Sequence, residues 1–148
     1  MGVSGTVAGS INLTFITDGS GMTVTGTGSP TASLPFGTVS MYGGTVPSGV
    51  TRTLTSNTSF TLSTPFDVHV DVANSASSTY TLAATLNTAD ATNVWVLGAL
   101  DISAGSLVTP TIVGAYGTAT PYTLHLTVPA SETAGLITNS INFLATAN

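Results

Sequence analysis

Apolar and polar residues alternate with a period of two along most of this chain. Successive side chains of a β-strand point to opposite faces of a sheet, so the alternation predicts strands with one buried face. Turn sequences such as DGSG, YGGTVPSG and VPASETAG separate these runs. Short strands at this spacing predict an all-β fold: one immunoglobulin-like or jelly-roll-like β-sandwich of about 8–10 strands across residues 1–148. The runs lie at residues 11–15, 22–24, 50–54, 60–62, 68–72, 80–86, 94–97, 122–128 and 141–143.

Charged residues are only 5% of the chain, and Arg52 is its one cation. Such a chain cannot neutralise a row of phosphates, so we expect no nucleic-acid binding. It also lacks the basic cluster that grips anionic membranes and the run of about 20 apolar residues that spans a bilayer, so we expect no membrane insertion. The absence of cysteine excludes disulfides and thiolate catalysis. The 29 threonines and 17 serines supply hydrated side chains that suit strands.

Three ionisable side chains occupy every second position of the stretch FDVHVDV: Asp67, His69 and Asp71. On a strand they share one face, and the valines between them enter the core. Cα atoms four residues apart on a strand are separated by about 13 Å, so Asp67 and Asp71 cannot both ligate one ion. The pattern therefore indicates the solvent-facing side of a strand rather than a metal site. A cross-strand pair of His69 with His125 stays open as an alternative.

No sequence pattern for catalysis is present. The DGSG stretch at Asp18 has the beginning of a calcium loop without its later acidic ligands, so it indicates a tight turn. The G-x-S-x-G elbow of serine hydrolases and the glycine-rich phosphate and dinucleotide fingerprints do not occur. We expect no enzymatic activity, no catalytic residue, no metal site and no cofactor.

Aromatic side chains and sequons are the remaining candidates for contact with other molecules. Tyr42 and Tyr116 adjoin glycines in loops and are candidate contacts for a partner or a carbohydrate, whereas Trp95 in NVWVLG is expected in the core. Asn12 and Asn57 begin N-x-Ser/Thr sequons and are candidate glycosylation sites.

Two stretches resemble known families. The segment LPFGTV at residues 34–39, with polar strands after it and an AG turn before the last strand, resembles the immunoglobulin-like domains of bacterial surface proteins. Among these it is similar to the spore coat U and archaic chaperone–usher pilin group and to anchor-type domains that begin with an FG.V strand. The opening VSGTVAGSINLTF is similar to the N-terminal segment that such pilins donate to a neighbour. The resemblance implies a structural subunit of a pilus, fibre or surface layer, located outside the cell or on its surface.

The N-terminal residues 2–16 are a candidate assembly arm or donor strand. Five of their apolar side chains, from Val3 to Phe15, fall on odd positions, which places these five on one face of an extended segment. An arm of this kind adds to the open edge of a neighbouring sheet through main-chain hydrogen bonds. We therefore expect a homo-oligomer or filament of copies of this chain, with a capsid-decoration protein on a virion surface or a carbohydrate-binding module as alternatives. The arm residues are Val3, Val7, Ile11, Leu13 and Phe15.

Overall fold

The computed structural model describes Ser4, Thr6, residues 8–106 and residues 113–148, and within those ranges the regular structure is entirely β. The part of the chain described therefore contains no helix long and apolar enough to cross a membrane. Nine strands follow one another in the described ranges: β1 (Ser10–Ile16), β2 (Thr51–Thr55), β3 (Ser59–Ala73), β4 (Thr79–Leu86), β5 (Val94–Leu97), β6 (Leu100–Asp101), β7 (Val113–Ala115), β8 (Ala119–Pro129) and β9 (Ile141–Ala147).

The strands form two antiparallel sheets. The larger sheet has the order β1-β3-β8-β5-β6, and β2 also pairs with β3. Strand β3 is long enough to carry β1 along its C-terminal half and β2 along its N-terminal half, with β8 on its other side. The smaller sheet has the order β7-β4-β9. This arrangement confirms the predicted all-β sandwich.

The core lies between the sheets and follows the period-two pattern. Val68 and Val70 of the larger sheet and Tyr80 and Leu82 of the smaller sheet have no exposed surface. Along β8 every second side chain, from Tyr122 to Val128, is likewise buried. Burial of apolar surface at about 25 cal/mol per Å² is the main force that holds the sheets together.

The segment between β1 and β2 departs from the prediction. Met22 and Val24 are buried as expected, yet they lie outside the regular strands. Met22 is held by its N–H, which donates to the buried Thr64 hydroxyl at 2.9 Å, while the same hydroxyl donates to the Gly49 carbonyl. The LPFGTV stretch is also irregular, so the FG.V strand that the resemblance implied does not form. A tertiary hydrogen bond holds Met22, and side-chain packing against the core holds the LPFGTV stretch, in place of strand pairing.

Candidate functional site

The acidic and histidine side chains of β3 lie on the outer face of the larger sheet. Asp67 and His69 alternate with the fully buried Val68 and Val70, as predicted. His69 Nε2 is 3.6 Å from Asp71 Oδ1. Burial, and then the nearby Asp18 carboxylate, raise the pKa of Asp67. Among the residues described, no group of three His, Cys, Asp or Glu side chains could hold a metal ion.

The two histidines are not neighbours, so the alternative of a cross-strand His69–His125 pair is wrong. His69 lies opposite Ala119, whereas His125 lies opposite Ser63. Six residues of β3 separate these positions, or about 20 Å along a strand. The His125 ring instead forms a hydrogen bond with its cross-strand neighbour, with Nδ1 2.6 Å from the Ser63 hydroxyl.

Replacing His69 is expected to change stability little. The side chain lies on a solvent-facing surface, so His69→Thr should alter the free energy of unfolding by no more than about 0.5 kcal/mol in urea titrations. Val70→Thr is the matched control one position along the same strand. It places a hydroxyl in a fully buried site and should cost about 1–3 kcal/mol. Tight zinc or calcium binding that disappears in His69→Thr would contradict the solvent-face interpretation.

Tyr42 and Tyr116 have different environments. The Tyr116 hydroxyl donates to the Thr79 carbonyl at 3.0 Å, and its ring packs 5.5 Å from the ring of Tyr80. Tyr116 therefore belongs to the packing of the smaller sheet. Tyr42 is 58% exposed and retains the accessibility that contact with a partner requires.

Arg52 holds the loop that carries Tyr42. Its Nη1 donates to the carbonyls of Ser40 and Gly43 at 2.6 and 2.7 Å, and the Ser40 hydroxyl donates to the Tyr42 carbonyl at 2.8 Å. The one cation of the chain thus stabilises the conformation of this loop. Asn12 and Asn57 are the two sequon residues. Asn57 is exposed in the β2–β3 turn with φ of 57°, and Asn12 is exposed on β1.

Trp95 is 6% exposed, which confirms its assignment to the core. Its indole is held by the carboxylate of Asp90, a residue that the sequence analysis did not single out. Asp90 Oδ2 accepts a hydrogen bond from Trp95 Nε1 at 2.8 Å, and Asp90 Oδ1 accepts from the backbone N–H groups of Thr92 and Asn93. Burial by itself raises the pKa of Asp90, but these donors and the Asn93 side chain outweigh it and hold the pKa at about 2.

Asp90→Asn is expected to lower stability by about 1.5–3 kcal/mol at pH 7, because hydrogen bonds to a charged acceptor are lost. A carboxylate with a lowered folded-state pKa stabilises the fold above its unfolded value, and that contribution disappears as the pH falls from 3.8 towards about 2. The wild-type and variant unfolding curves, followed by Trp95 fluorescence, should therefore converge near pH 2. Asp71→Asn, at an exposed site, is the control. A constant difference between wild type and Asp90→Asn across this pH range would contradict the assignment.

A large groove opens between the two sheets and has a volume of about 1220 Å³. Its floor is the inner face of β3 and β8, and its rim is formed by residues 30–39 and 135–143. None of the residues that line it is charged. Leu136, at the rim, is 90% exposed. The floor includes Phe60, Leu62, Phe66, Leu124, Leu126 and Val128.

Strand β9 presents an open edge beside this groove. The Asn148 N–H donates to the Thr79 carbonyl, and the Asn87 N–H donates to the Ser140 carbonyl, so even-numbered residues bond to β4. The backbone groups of the odd-numbered residues of β9 therefore point away from β4. No described residue pairs with them. This edge carries neither charge nor proline, the features that usually protect an exposed strand.

The described part of the candidate arm is a strand of its own domain. Residues 10–16 pair with β3, and Phe15 packs 5.1 Å from Phe143 across the sandwich. Leu13 and Phe15 pack against the core, whereas Ile11 is 39% exposed. Val3 and Val7 lie outside the described residues. Before β1, the Ala8 carbonyl accepts a hydrogen bond of 3.4 Å from the Asn74 side chain.

Comparisons with known proteins found no match for this chain among family models, curated proteins or solved structures.

Proposed function

We propose that this protein is a non-enzymatic structural subunit of an extracellular assembly, a fibre, pilus or surface layer. Copies would join when the N-terminal segment of one chain enters the groove of the next and pairs with β9. The observation that supports this most strongly is the edge of β9, uncharged and unpaired among the described residues, beside an apolar groove. In a monomer, an edge of this kind invites aggregation, whereas in a subunit it is a surface for strand addition.

The N-terminal segment suits this edge in length and in chemistry. Residues 2–9 precede β1 and span about 26 Å when extended, close to the seven residues of β9 at about 23 Å. They carry no charge, as the groove carries none, so no ion is desolvated when the two meet. Their small residues allow close backbone approach, and the two valines, at positions 3 and 7, supply side chains for the groove.

Donor and acceptor are different surfaces of the chain, so the contact is heterologous. Such contacts generate rings when the rotation closes and open filaments when it does not. We therefore expect rings or filaments rather than a closed pair. Exposure of the assembly outside the cell would suit a surface hydrated mainly by Thr and Ser hydroxyls.

Sedimentation velocity and negative-stain microscopy of the intact protein test the proposal. We expect species larger than a monomer that grow with protein concentration and appear as rings or filaments. A chain that stays monomeric at the highest attainable concentration would exclude the proposal. In that case, binding of neutral glycans that is lost in Tyr42→Ala would favour the carbohydrate-binding alternative.

A further inference from the structure

We infer that residues 34–39, here named the strap, are a displaceable cover at the rim of the groove, which moves aside when the N-terminal segment of a neighbouring copy enters. The inference deepens the proposed function, on which its biological role rests. Leu34, Phe36 and Val39 of the strap pack against the core, and the whole strap lines the groove.

The strap is fixed at its two ends and unbonded between them. At one end, Ser33 and Thr25 exchange backbone hydrogen bonds of 2.9 and 3.0 Å. At the other end, the Ser40 carbonyl accepts the Arg52 guanidinium at 2.6 Å. Between these anchors, no hydrogen bond joins residues 34–39 to any other described residue.

This pattern differs from that of an integral strand. Buried backbone groups in folded proteins are almost always paired within the protein, so the unpaired strap must keep its backbone groups in contact with water. The strap is held in place by the packing of its half-buried side chains, Leu34, Phe36 and Val39, against the core. Moving it out breaks none of the hydrogen bonds between described residues, while both anchors stay in place. A segment of this kind can open without unfolding the sheets.

The strap therefore competes with the incoming N-terminal segment, and an apolar dye that enters the groove reports the same competition. The apparent affinity of a site falls in proportion to the fraction of molecules in which the site is open. Weakening the packing of the strap should raise that fraction and tighten binding, although it lowers overall stability. An integral core segment would behave differently, because weakening its packing would lower the stability of the fold without tightening ligand binding.

The test uses Nile red, a neutral apolar dye, with the intact chain and three variants. Phe36→Ala should bind the dye roughly tenfold more tightly than wild type, which corresponds to about 1.4 kcal/mol of lost strap packing. Leu34→Ala carries the same expectation and replaces Phe36→Ala if that variant does not fold. Leu86→Ala is the control, because Leu86 is 1% exposed and does not line the groove. It should lower stability without tightening dye binding, since the cavity it leaves is too small for the dye.

Equal dye affinity in wild type and both strap variants, or an equal gain in Leu86→Ala, would overturn the inference. A synthetic peptide of residues 2–9 then separates this inference from the proposed function. If the strap variants tighten dye binding and the peptide displaces the dye, both stand. If they tighten dye binding and the peptide does not compete, the strap is a cover and the proposed occupant is wrong.

Discussion

A chain without residues 2–9 is expected to fold normally and to remain monomeric at concentrations at which the intact protein assembles. The deletion removes the segment that would pair with β9 of a neighbour and leaves β1, which begins at Ser10, in place. Within the described part of the domain it breaks a long hydrogen bond, from the Asn74 side chain to the Ala8 carbonyl, so the melting temperature should change little. Sedimentation velocity measures the assembly, and thermal unfolding measures the stability.

A second variant distinguishes the effect of the side chains from that of mere chain length. Val3→Ser combined with Val7→Ser keeps all the residues but removes the two apolar side chains of the segment, and it should weaken assembly by at least about tenfold. Asp71→Asn lies outside both the donor segment and the groove and should assemble like wild type. Assembly that survives the deletion unchanged would mean that another surface joins the copies.

Ala145→Pro is expected to block the acceptor edge while the domain stays folded. The N–H of Ala145 points away from β4, so a proline there removes a hydrogen bond that only an incoming strand would make. The pyrrolidine ring also obstructs the approach of that strand. We expect assembly to weaken by at least about tenfold, measured as a shift of the concentration dependence in sedimentation.

Leu144→Pro is the control at the adjacent position. Leu144 lies in register with Ala83, and its N–H faces β4, so a proline breaks a bond within the smaller sheet. This variant should lose about 1–3 kcal/mol of stability, because the Ala83 carbonyl is left without its hydrogen-bond partner. Comparable loss of stability in Ala145→Pro and Leu144→Pro would show that the two edges of β9 had been assigned wrongly.

The main strands of the sandwich could be predicted from sequence because a strand with one buried face has an apolar residue at every second position. In β3 and β8 the residues of one parity are mostly apolar, and the structure buries that parity over most of each strand. The same rule identified the outer face with Asp67 and His69. Between β1 and β2 the alternation correctly indicated the burial of Met22 and Val24 but not their backbone, because single hydrogen bonds of their N–H groups to Thr64 and Thr17 take the place of strand pairing.

The candidate site was only partly predictable. The sequence indicated an assembling chain from its charge and its N-terminal pattern, and that remains a prediction. It did not indicate the β9 edge, because whether a strand is an edge depends on strand order, which alternation does not encode. It also gave no reason to single out Asp90, whose role depends on Trp95 lying within 2.8 Å of it in the folded chain.

Mixing two assembly-deficient variants tests the central claim most directly. The chain without residues 2–9 retains the acceptor edge, and Ala145→Pro retains the donor segment. At a concentration at which each alone is monomeric, strand addition predicts that the mixture forms a 1:1 complex and nothing larger, since one donor and one acceptor remain. Sedimentation velocity or native mass spectrometry would detect that complex. A mixture that contains only monomers, while the intact protein assembles at the same concentration, would contradict the pairing of the N-terminal segment with β9.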